Sequence, residues 1–94
     1  MTELDLRHNA AAHRYEAWAD GVRAGVATYS RTPDAVVLPS VVVDPAFRGQ
    51  GVASDLTRFA LDDLRAAGVR RVVPSCPYVR TWIDRHPDYA DLVG

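Results

Sequence analysis

The chain has 94 residues, 48% of them apolar and 24% charged, with a formal net charge of −1. That composition belongs to ordinary folded material and excludes a disordered or fibrous chain. The near-neutral charge gives no global attraction to nucleic acid or anionic lipid, so no nucleic-acid or membrane partner is expected and any anion site has to be local.

At this length residues 1–94 are expected to form one domain, burying roughly 60–70% of the unfolded surface. No stretch approaches a membrane span, and Met1-Thr2-Glu3-Leu4-Asp5 lacks the basic and apolar regions of a signal peptide. A cytoplasmic location is the expectation. Cys76 is the only cysteine. It excludes an internal disulfide, and without a Cys/His cluster no metal site is expected.

In chain order, Leu4 to His8 reads as a first strand. His13 to Ala19 alternates Tyr15, Ala17 and Ala19 against Arg14, Glu16 and Trp18, the period of a second. Asp20-Gly21 is a hairpin turn. Val22 to Arg31 and Ala35 to Val43 follow as strands three and four, with Thr32-Pro33-Asp34 between them. These connections are too short for crossover helices, so the four strands form an antiparallel meander.

A helix is predicted from Gly51 to Ala67, because Val52, Leu56, Phe59, Ala60 and Leu64 recur at helical spacing and Gly68 can cap it. Asp55, Arg58, Asp62 and Arg65 are expected as ion pairs along its solvated face. Val69 to Pro74 is a fifth strand, and Tyr78 to Arg85 a short helix. The fold class is therefore α+β, with strand five parallel to strand four through a right-handed crossover.

Between strand four and the long helix lies Val43-Asp44-Pro45-Ala46-Phe47-Arg48-Gly49-Gln50-Gly51-Val52-Ala53. Two glycines let the backbone approach an anion, the helix N-terminus adds unpaired N–H groups, and Arg48 adds positive charge. Gly49 to Ser54 comes within one residue of the dinucleotide-binding fingerprint, but that fingerprint needs a parallel βαβ unit and a later acidic residue on a strand, which this order does not supply. The Walker pattern is absent. A tight loop with no ligand is the plain alternative.

Arg48-Gly49-Gln50-Gly51-Val52-Ala53 resembles the Gln/Arg-x-x-Gly-x-Gly/Ala signature of the GNAT N-acetyltransferase superfamily. With Val73-Pro74-Ser75-Cys76-Pro77 and His86-Pro87-Asp88-Tyr89, the whole chain is similar to the short single-domain GNAT-like proteins. The resemblance implies acetyl-CoA as cofactor. The amides of Gly49, Gln50, Gly51, Val52, Ala53 and Ser54 would hold the CoA pyrophosphate, with Arg48 and Gln50 shaping the turn. Val41, Val42 and Val43 would pair through their backbone with the pantetheine arm, in a gap between strands four and five.

One departure is present. The short members usually carry His-Thr where this chain has Ser40-Val41, so a histidine serving there as base or substrate contact is not available to this chain.

Acetyl transfer to an amine needs a neutral amine, a donor for the developing oxyanion and a proton for the departing thiolate. By the resemblance Cys76 stands where the acetyl end would lie. It could protonate the thiolate or take the acetyl group as a nucleophile, or it is a small buried hydrophobe. Tyr78 is the second catalytic candidate, as a phenolic acid, with packing as its alternative role. His86 is expected to cap the last helix, Asp44 to organise the turn, and His8 and His13 to stand aside. Only Asn9 to Ala12 separates the first two strands, where larger GNAT domains insert acceptor-pocket helices, so the acceptor side should be open.

Two functions follow. The first is a small acetyl-CoA-dependent N-acetyltransferase acting on an unidentified amine, which could be on a protein or peptide, as a monomer or homodimer. The second is a non-catalytic acyl-CoA-binding module.

Overall fold

In the computed structural model, which describes residues 3–93, five strands lie side by side in chain order: β1 (Asp5–Asn9), β2 (Arg14–Ala19), β3 (Val22–Arg31), β4 (Val36–Val43) and β5 (Val72–Val73). The first four are antiparallel, and β5 runs parallel to β4. Helix α1 (Val52–Ala66) makes the crossover, α2 (Pro77–Asp84) follows β5, and a 3-10 segment, Pro87–Val93, ends the described chain. The α+β meander read from the sequence is the observed architecture. No helix among the described residues is long and apolar enough to cross a membrane.

Local chemistry accounts for the strand connections. Asp20 and Gly21 both take positive φ, 51° and 78°, the conformation of a two-residue hairpin whose twist matches its strands. Between β1 and β2 there is only a 3-10 turn, Ala10–Ala12, whose Ala12 N–H donates to Asn9 Oδ1 at 3.2 Å. No helix enters there, so the sheet is covered mainly from one side.

Cross-strand register sorts the side chains into two faces. Leu6, Ala17, Gly25 and Val43 share one row, and His8, Tyr15, Ala27 and Val41 the next; this face carries the core. Arg7, Glu16, Val26 and Val42 lie on the opposite face, where Val42 is 57% exposed.

Helix α1 buries Val52, Leu56, Ala60, Leu61 and Leu64 against the core face. It ends in a Schellman motif, with Gly68 N–H donating to Arg65 O at 3.1 Å and Val69 N–H to Leu64 O at 3.0 Å. Gly25 lets the helix sit close: a Cβ there would meet Val52 Cγ1 at 3.0 Å and the Val42 carbonyl oxygen at 3.2 Å. Gly25→Ala is therefore expected to cost about 1–3 kcal/mol through overpacking, measured by urea unfolding.

Two sequence expectations, the length of β5 and the ion pairs on α1, are corrected, and one element is added to them. Strand β5 spans two residues, not Val69 to Pro74, because only Val36↔Val72 and Val37↔Val73 pair before the strands part. The 3-10 segment at Pro87–Val93, which buries Tyr89 and Leu92, has no periodicity long enough to read. The charges on α1 do not pair along the helix. Tyr89 O–H donates to Asp62 Oδ1 at 2.6 Å, Arg65 bonds Asp88 O and Asp91 Oδ1, and Arg58 lies over the Trp82 ring at 5.3 Å. That face is used to dock the C-terminal segment.

On the opposite face Glu16 is 5% exposed. Oε1 accepts from Trp18 Nε1 at 3.0 Å, and Oε2 from Arg14 Nε at 2.5 Å and Asn9 Nδ2 at 3.1 Å. The hydrogen bonds from Trp18 and Arg14, opposed by burial and aided by Asn9, push its pKa down to about 2. A depressed carboxyl pKa contributes stability above its ordinary value, and that stability is lost as pH falls toward 2. Glu16→Gln is expected to remove this acid limb from the stability curve and to lower stability at neutral pH by about 1–3 kcal/mol.

Candidate functional site

The loop after β4 is built by its own side chains. Asp44 Oδ1 accepts from Ala46 N–H at 2.9 Å and starts the 3-10 turn Pro45–Phe47, as expected of an organiser. Arg48 is extended, then Gly49 and Gly51 take φ of 80° and 78° with nothing within 4 Å of where a Cβ would stand. The open left-handed turn aims the chain's amides outward.

Gly51 is the N-cap of α1 and supplies no side-chain cap. The hydrogen bond from Asp55 N–H to Gly51 O, 3.0 Å, is the first of the helix, so the N–H groups of Val52, Ala53 and Ser54 have no intrahelical acceptor. These donors, the helix dipole and Arg48 converge on one concavity.

That concavity is a cavity of about 280 Å³, lined by Val43, Phe47, Arg48, Gly49, the stretch Gly51 to Ser54, and Tyr78. Gln50 is exposed and outside the lining. Trp82 Nε1 donates to Ser54 Oγ at 2.9 Å, leaving the serine proton free to donate. Trp82 is in turn fixed by His86, which stacks on it at 3.8 Å and whose Nδ1–H donates to the Trp82 carbonyl at 2.6 Å. His86 thus has the capping role expected of it. A hollow of about 350 Å³ at the opposite end of the sheet, lined by Arg31 to Val36 and Gly68 to Arg70, lies at the C-terminal end of α1, where the dipole disfavours anions.

From this cavity a gap runs between β4 and β5. Ser30 pairs with Val37 and Thr28 with Ser40, so β4 spends one residue more than β3 and carries a bulge there. Asp44 N–H donates to Ala24 O at 2.8 Å, and the register beyond the bulge then turns the N–H and C=O of Ser40 and Val42 toward β3. Val41 and Val43 therefore face the gap with backbone groups that no strand takes up. Val42 is a correction to the three-residue set, because its backbone serves β3 and its side chain lies on the opposite, exposed face.

The gap closes where Cys76 N–H donates to Leu38 O at 3.0 Å. Cys76 heads α2, with Pro77 as the first helical residue, and is 7% exposed. Tyr78, one residue further into the helix, is 40% exposed and reaches the cavity. The structure thus brings Arg48, Gly49, Gly51 to Ser54 and Tyr78 to one end of the gap, places Val41 and Val43 along it and Cys76 at its vertex.

Sequence reasoning missed a second polar cluster. Tyr15 O–H donates to Asp63 Oδ2 at 2.8 Å, and His8 lies between Asp63 Oδ2, 3.3 Å from Nδ1, and the Tyr29 hydroxyl, 2.7 Å from Nε2. Burial and then the Asp63 carboxylate raise the Tyr15 pKa, so its proton stays in place. This cluster fastens β1, β2 and β3 to α1 and stands apart from the gap. No local pattern could reveal it, since its members come from four elements.

Residues 14–92 match the model of the GCN5-related N-acetyl-transferase family. No curated protein matches the chain. Among solved structures it is similar to a GCN5-like protein of Staphylococcus aureus (TM-score 0.74, 16% identity, covering 100% of this chain and 91% of that one). It is also similar to the ribosomal-protein-S18-alanine N-acetyltransferase of Escherichia coli (TM-score 0.68, 17% identity, 92% and 76%). A GNAT family acetyltransferase of Brucella melitensis, in complex with acetyl-CoA, has a TM-score of 0.61 and 29% identity over 78% of this chain and 54% of that one. The first two likenesses concern the fold, and the family match covers most of the sequence: the chain belongs to the GCN5-related N-acetyltransferase family and is an acetyltransferase of the GNAT type.

Proposed function

We propose that this protein binds acetyl-CoA along the β4–β5 gap and transfers its acetyl group to an amine. One observation carries the reading: the unpaired amides at Gly51 to Ser54 and the free backbone edge at Val41 and Val43 form a continuous track that ends at Cys76. The amides from Gly49 to Ser54, Arg48 and the Ser54 hydroxyl suit a pyrophosphate. Val41 and Val43 can pair with an amide-rich arm as a strand would. Gln50 shapes the turn from outside.

Bound acetyl-CoA supplies an activated thioester. The chain's part is to position it, to donate hydrogen bonds to the carbonyl oxygen as the amine's lone pair attacks, and to give a proton to the sulfur as the C–S bond breaks, the proton shed by the new amide nitrogen passing through water to restore the donor. Cys76 is the proton donor at the vertex, also able to accept the acetyl group itself, and Tyr78, which lines the cavity at the other end of the gap, is the second candidate.

Residues 1–94 act in this proposal as one acetyl-CoA-binding unit, monomeric or homodimeric. A cytoplasmic setting belongs to it too, since a lone buried thiol suits a reducing compartment.

Calorimetry with CoA and single-turnover assays with an amine panel test the reading. Binding with amine-stimulated loss of acetyl is expected. Binding without transfer would select the non-catalytic acyl-CoA module, which the burial of Cys76 favours. No heat with CoA from folded protein would sink both.

A further inference from the structure

We propose that Ser40, held by Thr28, receives the acceptor amine on the open face of the sheet, and that the preferred acceptor is the α-amine of a peptide, not a lysine side chain. The inference rests on the acetyl-transfer reading above.

Ser40 is the only polar side chain in β4, whose sequence is otherwise Val, Leu and Pro. It stands just past the bulge, two residues beyond Leu38, so about 6 Å along the strand from the vertex where Cys76 closes the gap. Helix α1 packs on the core face, and the face bearing Ser40 also bears the exposed Val42. An amine reaches the vertex most directly across that face, and Ser40 is the first hydrogen-bonding side chain it meets on β4.

The hydroxyl is held in place. Ser40 Oγ and Thr28 Oγ1 are 2.9 Å apart and part-buried, so one donates to the other. Ser40 retains a lone pair that can accept an N–H from a neutral amine and aim the nitrogen's own lone pair at the vertex.

The charges on this face set the acceptor class. Thr28 neighbours Arg14 across the sheet, and Arg14 is bonded to Glu16; Asp5 is bonded to Arg7. Glu16 already accepts three hydrogen bonds, and Asp44, which lies beyond Val42 and away from the vertex, accepts from Ala46 N–H, so no carboxylate among the described residues stands beside Ser40 to take a proton from an incoming ammonium. The remaining neighbours of Ser40 on β4 are apolar. With no base in place, the acceptor has to arrive neutral. A peptide α-amine, with a pKa near ~8, is roughly 10% neutral at pH 7, whereas a lysine amine near ~10.4 is neutral to only about 0.04%.

The test loads the full chain with acetyl-CoA and compares an alanyl dipeptide amide with Nα-acetyl-lysine amide at pH 7, while CoA affinity is measured separately by calorimetry. The α-amine is expected to have a kcat/KM at least ~10-fold higher, its greater neutral fraction being partly offset by lower intrinsic nucleophilicity. Ser40→Ala should raise KM for the dipeptide about 10-fold with CoA affinity unchanged. Thr28→Val should do the same through Ser40, and Thr28→Ser should restore KM, which a packing role for the threonine methyl would not. A preference for lysine, or an unchanged KM in Ser40→Ala, overturns this proposal and leaves acetyl transfer standing. CoA binding with neither amine acetylated overturns the proposal and favours the module, and failure of CoA to bind overturns both readings.

Discussion

Gly51→Val is expected to lower affinity for CoA at least ~100-fold while the sheet and both helices stay folded. Position 51 has φ of 78°, a conformation that a β-branched residue adopts only under strain. A Cβ would touch nothing within 4 Å, so the penalty lies in the backbone, about 1–2 kcal/mol, and not in packing. The chain can relieve it by rotating the turn, which turns the amides of Val52, Ala53 and Ser54 away from their common focus. A ~100-fold loss is ~2.7 kcal/mol, the worth of one or two hydrogen bonds to a charged group. Calorimetry with CoA and far-UV circular dichroism separate the effects. Arg48→Ala should weaken binding only about 3- to 10-fold, because the helix N-terminus still contributes. Retained affinity in Gly51→Val would put the pyrophosphate elsewhere.

Cys76→Ser should reduce turnover by roughly 10²-fold or more with CoA affinity kept. A serine hydroxyl is a far weaker acid than a thiol, so it can neither protonate a leaving thiolate at neutral pH nor serve as a comparable nucleophile. Because Cys76 is 7% exposed, the serine also carries a desolvation cost, about 1–3 kcal/mol. Cys76→Ala, measured beside it, removes that polar burden. If both variants turn over normally and Tyr78→Phe does not, Tyr78 is the acid and Cys76 is packing. Tyr78 has the advantage of exposure in the cavity, and Cys76 that of position at the vertex.

What was legible in the sequence was local. Asp20-Gly21 sets a hairpin by its backbone preferences alone, α1 shows its buried face at helical spacing, and Gly68 marks its end. The turn from Arg48 to Gly51 is legible for the same reason, since paired glycines before an amphipathic helix mean an open backbone wherever they occur.

The rest depends on where elements meet. The brevity of β5 follows from the separation of its strand from β4, which Val69 to Pro74 does not encode. The bulge that points Val41 and Val43, not Val42, into the gap appears only in the register with β3. Contacts such as Trp82 to Ser54, His8 to Asp63 and Tyr89 to Asp62 join residues at least 27 positions apart. The Asp and Arg residues of α1 looked like helix-face ion pairs because the segment that recruits them had no signal of its own.

In the proposed function one continuous track, from the Arg48 to Ser54 turn along Val41 and Val43, holds CoA. An amide chemical-shift titration with CoA tests it most directly. Saturable shifts are expected at Gly49, Gly51, Val52, Ala53, Ser54, Val41 and Val43, with Thr32 to Ala35 unmoved at the far end of the sheet. Shifts confined to Arg31 to Ala35 and Gly68 to Arg70, or none at CoA concentrations that saturate binding by calorimetry, would contradict it.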